Sequence, residues 1–273
     1  MCVLATRAAS SATLLPVNPV LGAVLAALLL AAVTVAARAR LADRRDRGYA
    51  RAIAVAGLRA AVQLAAVSYL IGWVVHALAT LLAFLVVMFA VAVRTAGRRI
   101  TDNHTWWWAA LPIGAGVVPV VAVLLLTGLV PLKGVALIPI TGILIGGALT
   151  ATVLGGRRAL DELTARHGEV EAGLALGLPD RDARLEIARP AASDALLPGL
   201  DQTRTVGLVT LPGAFVGMLL GGASPVMAGA VQLFVLVALM AVQAVAVAVV
   251  LELVARGRLH RARHVSLPTA EGE

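Results

Sequence analysis

Residues 205–251 read TVGLVTLPGAFVGMLLGGASPVMAGAVQLFVLVALMAVQAVAVAVVL and contain no Asp, Glu, Lys or Arg. A helix needs about 20 apolar residues to cross the hydrocarbon core of a bilayer. The stretch is long enough for two crossings, and the sequence Gly-Gly-Ala-Ser-Pro at residues 221–225 supplies a turn between them. This stretch therefore predicts a pair of transmembrane helices.

Three other parts of the chain also lack charged residues, namely residues 60–93, 103–132 and 134–156. Charged residues make up 14% of the chain and hydrophobic residues 60%, whereas a soluble domain carries about 25% charged residues. The sequence predicts an all-α, polytopic transmembrane helical bundle of about seven spans. The predicted spans are residues 20–37, 53–75, 77–93, 106–126, 134–154, 205–222 and 226–253.

The positive charges indicate the orientation of the bundle. Alternate loops hold 6, 3 and 7 Lys or Arg residues and the C-terminal tail holds 4, while the opposite side carries only Arg7 and Lys133. Because the Lys- and Arg-rich side is cytoplasmic, we expect residues 1–19 to form an extracytoplasmic tail. Residues 20–255 then form the transmembrane domain with a cytoplasmic loop at 156–204, and residues 256–273 form a cytoplasmic tail. This topology explains the net charge of +8 without a nucleic-acid partner. It also predicts a protein of the cell membrane.

The loop at residues 156–204 is the one sizeable polar segment. Leu160, Leu163, Val170 and Leu174 recur on one face of a predicted amphipathic helix. Gly177 and Pro179 end that helix, and Asp180 is suited to cap a second one. The loop has nine acidic and seven basic residues, whereas a helix lying on anionic lipid needs a basic polar face. A protein partner is therefore favoured over the bilayer surface.

The spacing of residues in this loop resembles the EAA loop of ABC transporter permeases. The matching residues are Glu171, Ala172, Gly177, Ile187 and Pro190. The loop departs from that pattern at Gly173, where alanine is usual, and at Arg189, where leucine is usual. The resemblance implies that this loop couples the chain to an ATP-binding subunit.

A wider resemblance covers residues 45–255 and concerns FetB-type ABC transporter permeases, a family linked to iron export and, in plants, to aluminium tolerance. The matching stretches are Gly57-Leu58-Arg59 through Gln63 to Tyr69, Ile138-Pro139-Ile140-Thr141-Gly142, residues 205–213, and Ser224-Pro225 through Gln232. The resemblance implies a membrane-spanning subunit that pairs as a homodimer and exports a metal ion such as iron. After Ile138-Pro139 the family has Asn and Met where this sequence has Gly147 and Leu149, so the metal ligands remain unknown.

Polar residues inside the predicted spans are candidates for a pathway or for helix pairing. Arg59 and Gln63 share a face of span two, one turn apart. Arg59 either snorkels to the cytoplasmic interface or takes part in the pathway or in helix pairing. Gln232 and Gln243 share a face of span seven, where they either form interhelical hydrogen bonds or line a polar pathway.

Two rows of glycines at four-residue spacing predict close helix packing. One row is Gly213, Gly217 and Gly221, and the other is Gly142 and Gly146. Glycine lacks a side chain, so two helix backbones can approach closely at such rows.

The sequence gives no sign of an ATP site or of catalytic chemistry in this chain. It contains no Walker A motif, and Lys133 is its only lysine. We expect a transport subunit rather than an enzyme, with no cofactor bound by this chain and with ATP bound by the partner subunit. The alternatives are a self-sufficient secondary transporter or channel, and a membrane scaffold without transport.

Overall fold

The computed structural model describes residues 18–41, 48–74, 77–128 and 134–261, except for the side chains of residues 73 and 134–136. These residues form α-helices and short 3-10 turns, and they include no β-strand. The helices are α1 (Pro19–Arg38), α2 (Tyr49–Val74), α3 (Leu78–Ile100), α4 (Ala110–Leu126), α5 (Gly134–Ala165), α6 (His167–Ala175), α7 (Asp180–Ser193), α8 (Leu197–Thr205), α9 (Gly213–Leu220) and α10 (Pro225–Ala255). Residues 1–17 of the predicted outer tail and residues 262–273 of the predicted cytoplasmic tail lie outside the described residues.

Six helices in the described part of the chain are long and apolar enough to cross a membrane. They cover Pro19–Arg38, Tyr49–Gly72, Leu78–Ile100, His104–Leu126, Leu137–Ala165 and Pro225–Ala255. They correspond to predicted spans one to five and seven. The all-α membrane bundle expected from the charge-free stretches is therefore confirmed.

The predicted sixth span, residues 205–222, is not one continuous helix. Helix α8 ends at Thr205, helix α9 begins at Gly213, and the residues between them form a turn. Gly207 adopts φ +81° in this turn, a backbone region that favours glycine. Pro212 is the N-cap of α9, and its ring cannot donate a hydrogen bond back to a preceding helix. Glycine and proline thus interrupt a segment whose apolar composition alone indicates a full span.

The chain divides into two compact units, Met1–Trp73 and Val74–Glu273. In the first unit α1 and α2 pack closely at Gly57, where an added Cβ would lie 2.7 Å from the Leu29 side chain. Helix α2 otherwise has no buried side chain among its described residues.

In the second unit, α3 and α5 run in the same direction. A Cβ on Gly142 would lie 3.1 Å from Met88 Cε, and a Cβ on Gly156 would lie 3.1 Å from Ile100 Cδ1. Because contacts advance along both helices together, the C-terminal ends of α3 and α5 lie at the same end of the bundle. This agrees with a chain that crosses the membrane once between the two helices.

Helix α10 is also parallel to α5. Gly147 of α5 packs against Leu239, and Gly155 packs against Val250. Buried residues of α3, α4, α5 and α10 together form the main apolar core. The basic C-terminal ends of α3, α5 and α10 therefore lie together, as the charge count predicts for one membrane face.

The predicted orientation can be tested with two epitope tags. A tag in the turn at residues 221–225 should be accessible only from outside the cell, and a tag at the C-terminus only from the cytoplasm, because the Lys- and Arg-rich loops remain inside. Accessibility of each tag to antibody in intact and in permeabilised cells measures this. Detection of both tags on the same side would contradict the model of seven crossings.

Candidate functional site

The polar segment forms a helical hairpin made of α6 and α7. We predicted one amphipathic helix running from Leu160 to Leu174, but α5 itself continues to Ala165. The chain breaks at Arg166, whose φ of −113° and ψ of 34° are not helical. Leu160 and Leu163 therefore belong to the end of a membrane helix, and only α6 is a separate element.

Gly177 ends α6, as predicted, in the left-handed conformation with φ +90°. The amide of Leu178 donates to the carbonyl of Gly173 at 3.1 Å, and the amide of Gly177 donates to the carbonyl of Leu174 at 2.9 Å. These two bonds are the Schellman pattern that closes a helix C-terminus. No atom beyond the adjacent chain lies within 4 Å of a Cβ added at Gly177, so its backbone conformation alone demands glycine.

Gly173 is a point of close contact between α6 and α7. A Cβ at this position would lie 3.3 Å from the Cβ of Ala183 and 3.4 Å from Leu178 Cδ1. Both distances leave little room. The tight packing explains why this chain carries glycine at the position where the resembled EAA loop usually has alanine.

Helix α7 begins one residue earlier than predicted. Pro179 is the N-cap, and Asp180 is the first helical residue rather than the cap. Its carboxylate accepts a hydrogen bond from Arg184 Nε at 3.0 Å. Asp180 and Asp182 both lie in the first turn, where negative charge is stabilised by the helix dipole.

The hairpin has a buried side and an exposed side. Ile187 is buried with Val170 and Ala183 between the two helices. Leu185 is buried on the other side of α7, against the ends of α5 and α10. Pro190 is exposed near the end of α7. Of the residues matched to the EAA pattern, Ile187 therefore packs inside the hairpin, while the others lie on its surface.

Apolar side chains are exposed at the tip of the hairpin. Leu176 is 86% exposed, Leu178 is 44% exposed, and Ala172 is also exposed. Glu171 is exposed beside them and lies 3.2 Å from His167 Nδ1. We call residues 171–179 the tip. It combines an exposed apolar surface with a rigid turn, which are the properties of a docking surface.

One ion pair ties the hairpin to the last membrane helix. Arg181 of α7 donates from Nε and Nη2 to the two carboxylate oxygens of Glu252 on α10, at 2.7 and 2.8 Å. Arg256 donates to the same carboxylate. The hydrogen bond to Glu252 raises the pKa of Arg181 above its ordinary value. The bidentate geometry fixes the orientation of α7 relative to α10.

A second ion pair lies at the start of α6. Arg166 forms hydrogen bonds with Glu169 and with Glu162. The hydrogen bond from Arg166 holds the pKa of Glu169 below its usual range, and the carboxylates raise the pKa of Arg166. Both groups are exposed to solvent, so this pair orients the break between α5 and α6 more than it stabilises the fold.

Inside the bundle, the two glutamines of α10 are buried on one face, as predicted. Gln232 is 5% exposed and Gln243 is 9% exposed. Oε1 of Gln232 has no hydrogen-bond partner among the described residues, and the same holds for the buried hydroxyls of Thr141 and Thr152 on α5. Sequence reasoning missed these threonines, although their 11-residue spacing equals that of the glutamines.

Gln243 lies where three helices meet. A Cβ on Gly199 of α8 would lie 2.0 Å from Gln243 Oε1, and a Cβ on Gly147 of α5 would lie 3.5 Å from Gln243 Nε2. The sequence analysis did not single out Gly147 as a packing position. The row Gly147, Ala151 and Gly155 at four-residue spacing is the signal that could have identified it.

The other predicted residues have different surroundings. Arg59 and Gln63 are both exposed on α2. Nothing beyond the adjacent backbone lies within 4 Å of a Cβ added at Gly146, Gly213 or Gly217, and at Gly221 the nearest atoms are carbonyls of α9 itself. Gly142 packs closely against α3. Among the described residues the row on α9 therefore presents an open face, and its predicted role in packing stays a prediction.

The described residues contain no group of three or more His, Cys, Asp or Glu side chains that could hold a metal ion. The polar atoms buried among the membrane helices are neutral amide and hydroxyl oxygens. Such oxygens suit transient contact with a passing solute better than tight binding of a transition metal.

Comparison with known proteins reveals a family. A family model described as "Uncharacterised protein family (UPF0014)" matches residues 25–258. The chain is 37% identical over 166 residues to Protein ALUMINUM SENSITIVE 3 of Arabidopsis thaliana, covering 60% of this chain. It is 34% identical over 189 residues to UPF0014 membrane protein STAR2 of Oryza sativa subsp. japonica, covering 67%. It is 30% identical over 182 residues to the probable iron export permease protein FetB of Escherichia coli K12, covering 65%.

The matches span 58% of the Arabidopsis protein, 65% of the rice protein and 70% of the Escherichia coli protein. No solved structure matches the chain.

Proposed function

Because this chain belongs to the UPF0014 family and has a multi-pass membrane fold, we propose that it is the membrane-spanning subunit of an ABC transporter. In this proposal a separate ATP-binding subunit supplies the energy, and this chain binds no nucleotide itself. The observation that carries the proposal is the exposed tip of the α6–α7 hairpin. Its Schellman turn and its spacing from Glu171 to Pro190 fit a coupling element that inserts into a partner subunit.

The attachment of the hairpin supports the same role. A coupling element must transmit force to the membrane helices, and α7 is bonded to α10 through Arg181 and Glu252. Ile187 packs α7 on α6, and Leu185 packs it on the ends of the spans. A displacement of the tip therefore acts on α7 and, through it, on α10.

We also propose that two copies of the chain pair as a homodimer, with one ATP-binding subunit on each. The open glycine face of α9 at Gly213 and Gly217 supports this, since it allows another helix backbone to approach closely.

We propose a metal ion such as iron as the exported substrate. The support for this substrate is the likeness to the protein named as a probable iron export permease. Gln232 and Gln243 are candidates to line the pathway because both are buried on the face of α10 that packs on α5. In this role the amides replace part of the hydration shell of a passing ion.

The coupling role is tested by combining Gly177→Val with Glu171→Lys. Valine at φ +90° costs about 1–2 kcal/mol, so the tip should lose its shape while the spans still insert. We expect normal membrane yield, about tenfold weaker binding of the ATP-binding subunit and a similar loss of stimulated ATPase. Co-purification and ATPase assays of the reconstituted complex measure these effects.

Gly168→Val is the matched control. Gly168 is also exposed, a Cβ added there would meet no described atom within 4 Å, and its backbone conformation is one that any residue adopts. It should bind the partner as well as the native chain. Full binding and full stimulation by the combined variant would exclude the tip as the coupling element.

The pathway role is tested by Gln232→Leu. Removing a buried oxygen that has no partner should leave stability unchanged or raise it by about 1 kcal/mol, whereas export should fall. The assay is ATP-driven uptake of ferrous iron into inverted vesicles that contain both subunits, with a parallel thermal melt. Gln202→Leu, at an exposed glutamine of α8, is the control. Unchanged uptake by Gln232→Leu would show that Gln232 contributes to helix packing and not to the transport pathway.

A further inference from the structure

A groove outside the coupling hairpin lies between α4, α10 and the segment that follows α10. It has a volume of about 580 Å³. Its lining includes Trp108, Leu111, Ala248, Val249, Arg256 and Arg258. One part of the groove is apolar and the other is basic and aromatic, so it suits a ligand that has an apolar part and a charged part.

The apolar wall belongs to two membrane helices. Leu111 is half exposed on α4, and Ala248 is exposed on α10 with Val249 partly buried beside it. Both helices are among those long and apolar enough to cross a bilayer. The occupant of this wall must therefore present hydrocarbon.

The other end of the groove carries cations on an aromatic platform. The guanidinium of Arg258 lies 5.2 Å from the ring centre of Trp108, and the ring of Trp108 stacks on Trp107 at 4.3 Å. Tryptophan favours the headgroup level of a membrane. The platform therefore holds Arg258 at the level where lipid headgroups lie.

The charges at this end leave a positive excess. Glu252 also lines the groove, but its carboxylate is bonded by both Arg181 and Arg256. Arg258 is exposed and forms no ion pair within the described residues. Arg181 is also paired with Asp182, so two carboxylates stand against three guanidinium groups and the excess positive charge lies at Arg258. The complement of that arrangement is an anion.

We propose that this groove binds one anionic phospholipid, with its phosphate at Arg258 and Arg256 and an acyl chain along Leu111, Ala248 and Val249. Basic pockets between membrane helices commonly recognise acidic headgroups. A nucleotide or a free phosphate would satisfy the arginines but leave the apolar wall uncovered. The site lies on α10 next to Glu252, so a bound lipid contacts the helix that anchors the coupling hairpin.

The test is native mass spectrometry of the full chain in detergent, with equal amounts of phosphatidylglycerol and phosphatidylcholine. The native chain should retain one phosphatidylglycerol per copy in preference to phosphatidylcholine. Because a basic residue near the headgroup contributes about 1 kcal/mol, Arg258→Gln should reduce that preference about fivefold. Arg204→Gln, at an exposed arginine on α8, should leave it unchanged. A normal size-exclusion profile confirms that both variants fold.

Two further measurements distinguish a bound phospholipid from the other possible occupants of the groove. Ala248→Trp fills the apolar wall and should lower retention of both lipids, and excess inorganic phosphate should not displace phosphatidylglycerol. Equal retention of the two lipids, an unchanged preference in Arg258→Gln, or displacement by phosphate would overturn the proposal. So would a shift of Ala248→Trp from dimer to monomer with lipid retention unaltered, because the groove would then be an interface between copies.

Discussion

Replacing Gly97 with alanine should strongly destabilise the membrane core. A Cβ at Gly97 would lie 2.1 Å from the carbonyl oxygen of Trp106 and 2.7 Å from its carbonyl carbon. Both are backbone atoms, so no side-chain rotation relieves the clash, and α3 must move away from the turn that begins α4. We expect a loss of more than about 3 kcal/mol, seen as a fall of roughly 10 °C in the melting temperature in detergent.

Gly146→Ala is the control for this prediction. It introduces the same methyl group into another membrane helix, at a position with nothing within 4 Å. Alanine is a better helix former than glycine by about 1 kcal/mol, so this variant should be as stable as the native chain or more stable. If the two variants melt at the same temperature, α3 and Trp106 do not approach as closely as described.

Inverting the charge of Glu252 should release the α6–α7 hairpin from the bundle. Glu252→Arg removes the acceptor of Arg181 and Arg256 and places a third cation beside them. Loss of charged hydrogen bonds costs about 3 kcal/mol, or roughly a hundredfold in the docking equilibrium. Thermolysin, which cleaves beside apolar residues and not at arginine, should therefore cut residues 156–204 much faster, because cleavage follows the population of the open form.

A double variant restores the ion pair between positions 181 and 252 with the two charges exchanged. Adding Arg181→Glu to Glu252→Arg should recover much of the protease resistance, since opposite charges face each other again. Glu186→Arg, at an exposed carboxylate of α7, should leave the cleavage rate near that of the native chain. If the reversed pair stays as sensitive as Glu252→Arg, the contact does not hold α7 in place.

The fold class could be predicted from the sequence because charge-free stretches of sufficient length leave few alternatives to membrane helices. The position of the turn at Gly177 was predictable for a local reason, since a positive φ concerns the glycine itself. The shared burial of Gln232 and Gln243 was predictable from helical periodicity.

Contacts between distant segments were not predictable in the same way. The pairing of Arg181 with Glu252 joins residues 71 apart in sequence, and no local pattern identifies such a partner. Of the glycines singled out by spacing, Gly142 packs closely on Met88 but Gly146 and Gly213 do not. The tightest packing lies at Gly97, Gly147 and Gly199, which spacing did not identify. Spacing shows where helices can approach, whereas the tertiary arrangement decides where they do.

The interruption between α8 and α9 has a consequence for the interior of the bilayer. Helix α9 has eight residues, so it is about 12 Å long and reaches less than half of a hydrocarbon core about 30 Å thick. Helix α8 contributes to the same crossing, because Gly199 lies against Gln243 within the apolar part of α10. The end of α8 and the start of α9 flank the turn at residues 206–212, and helix ends carry carbonyl and amide groups that lack helical partners. Hydrocarbon cannot satisfy such groups, so inside a bilayer protein or water must reach them. In the proposed transporter, a hydrated solute would exchange its water for backbone oxygen at this break without entering the lipid.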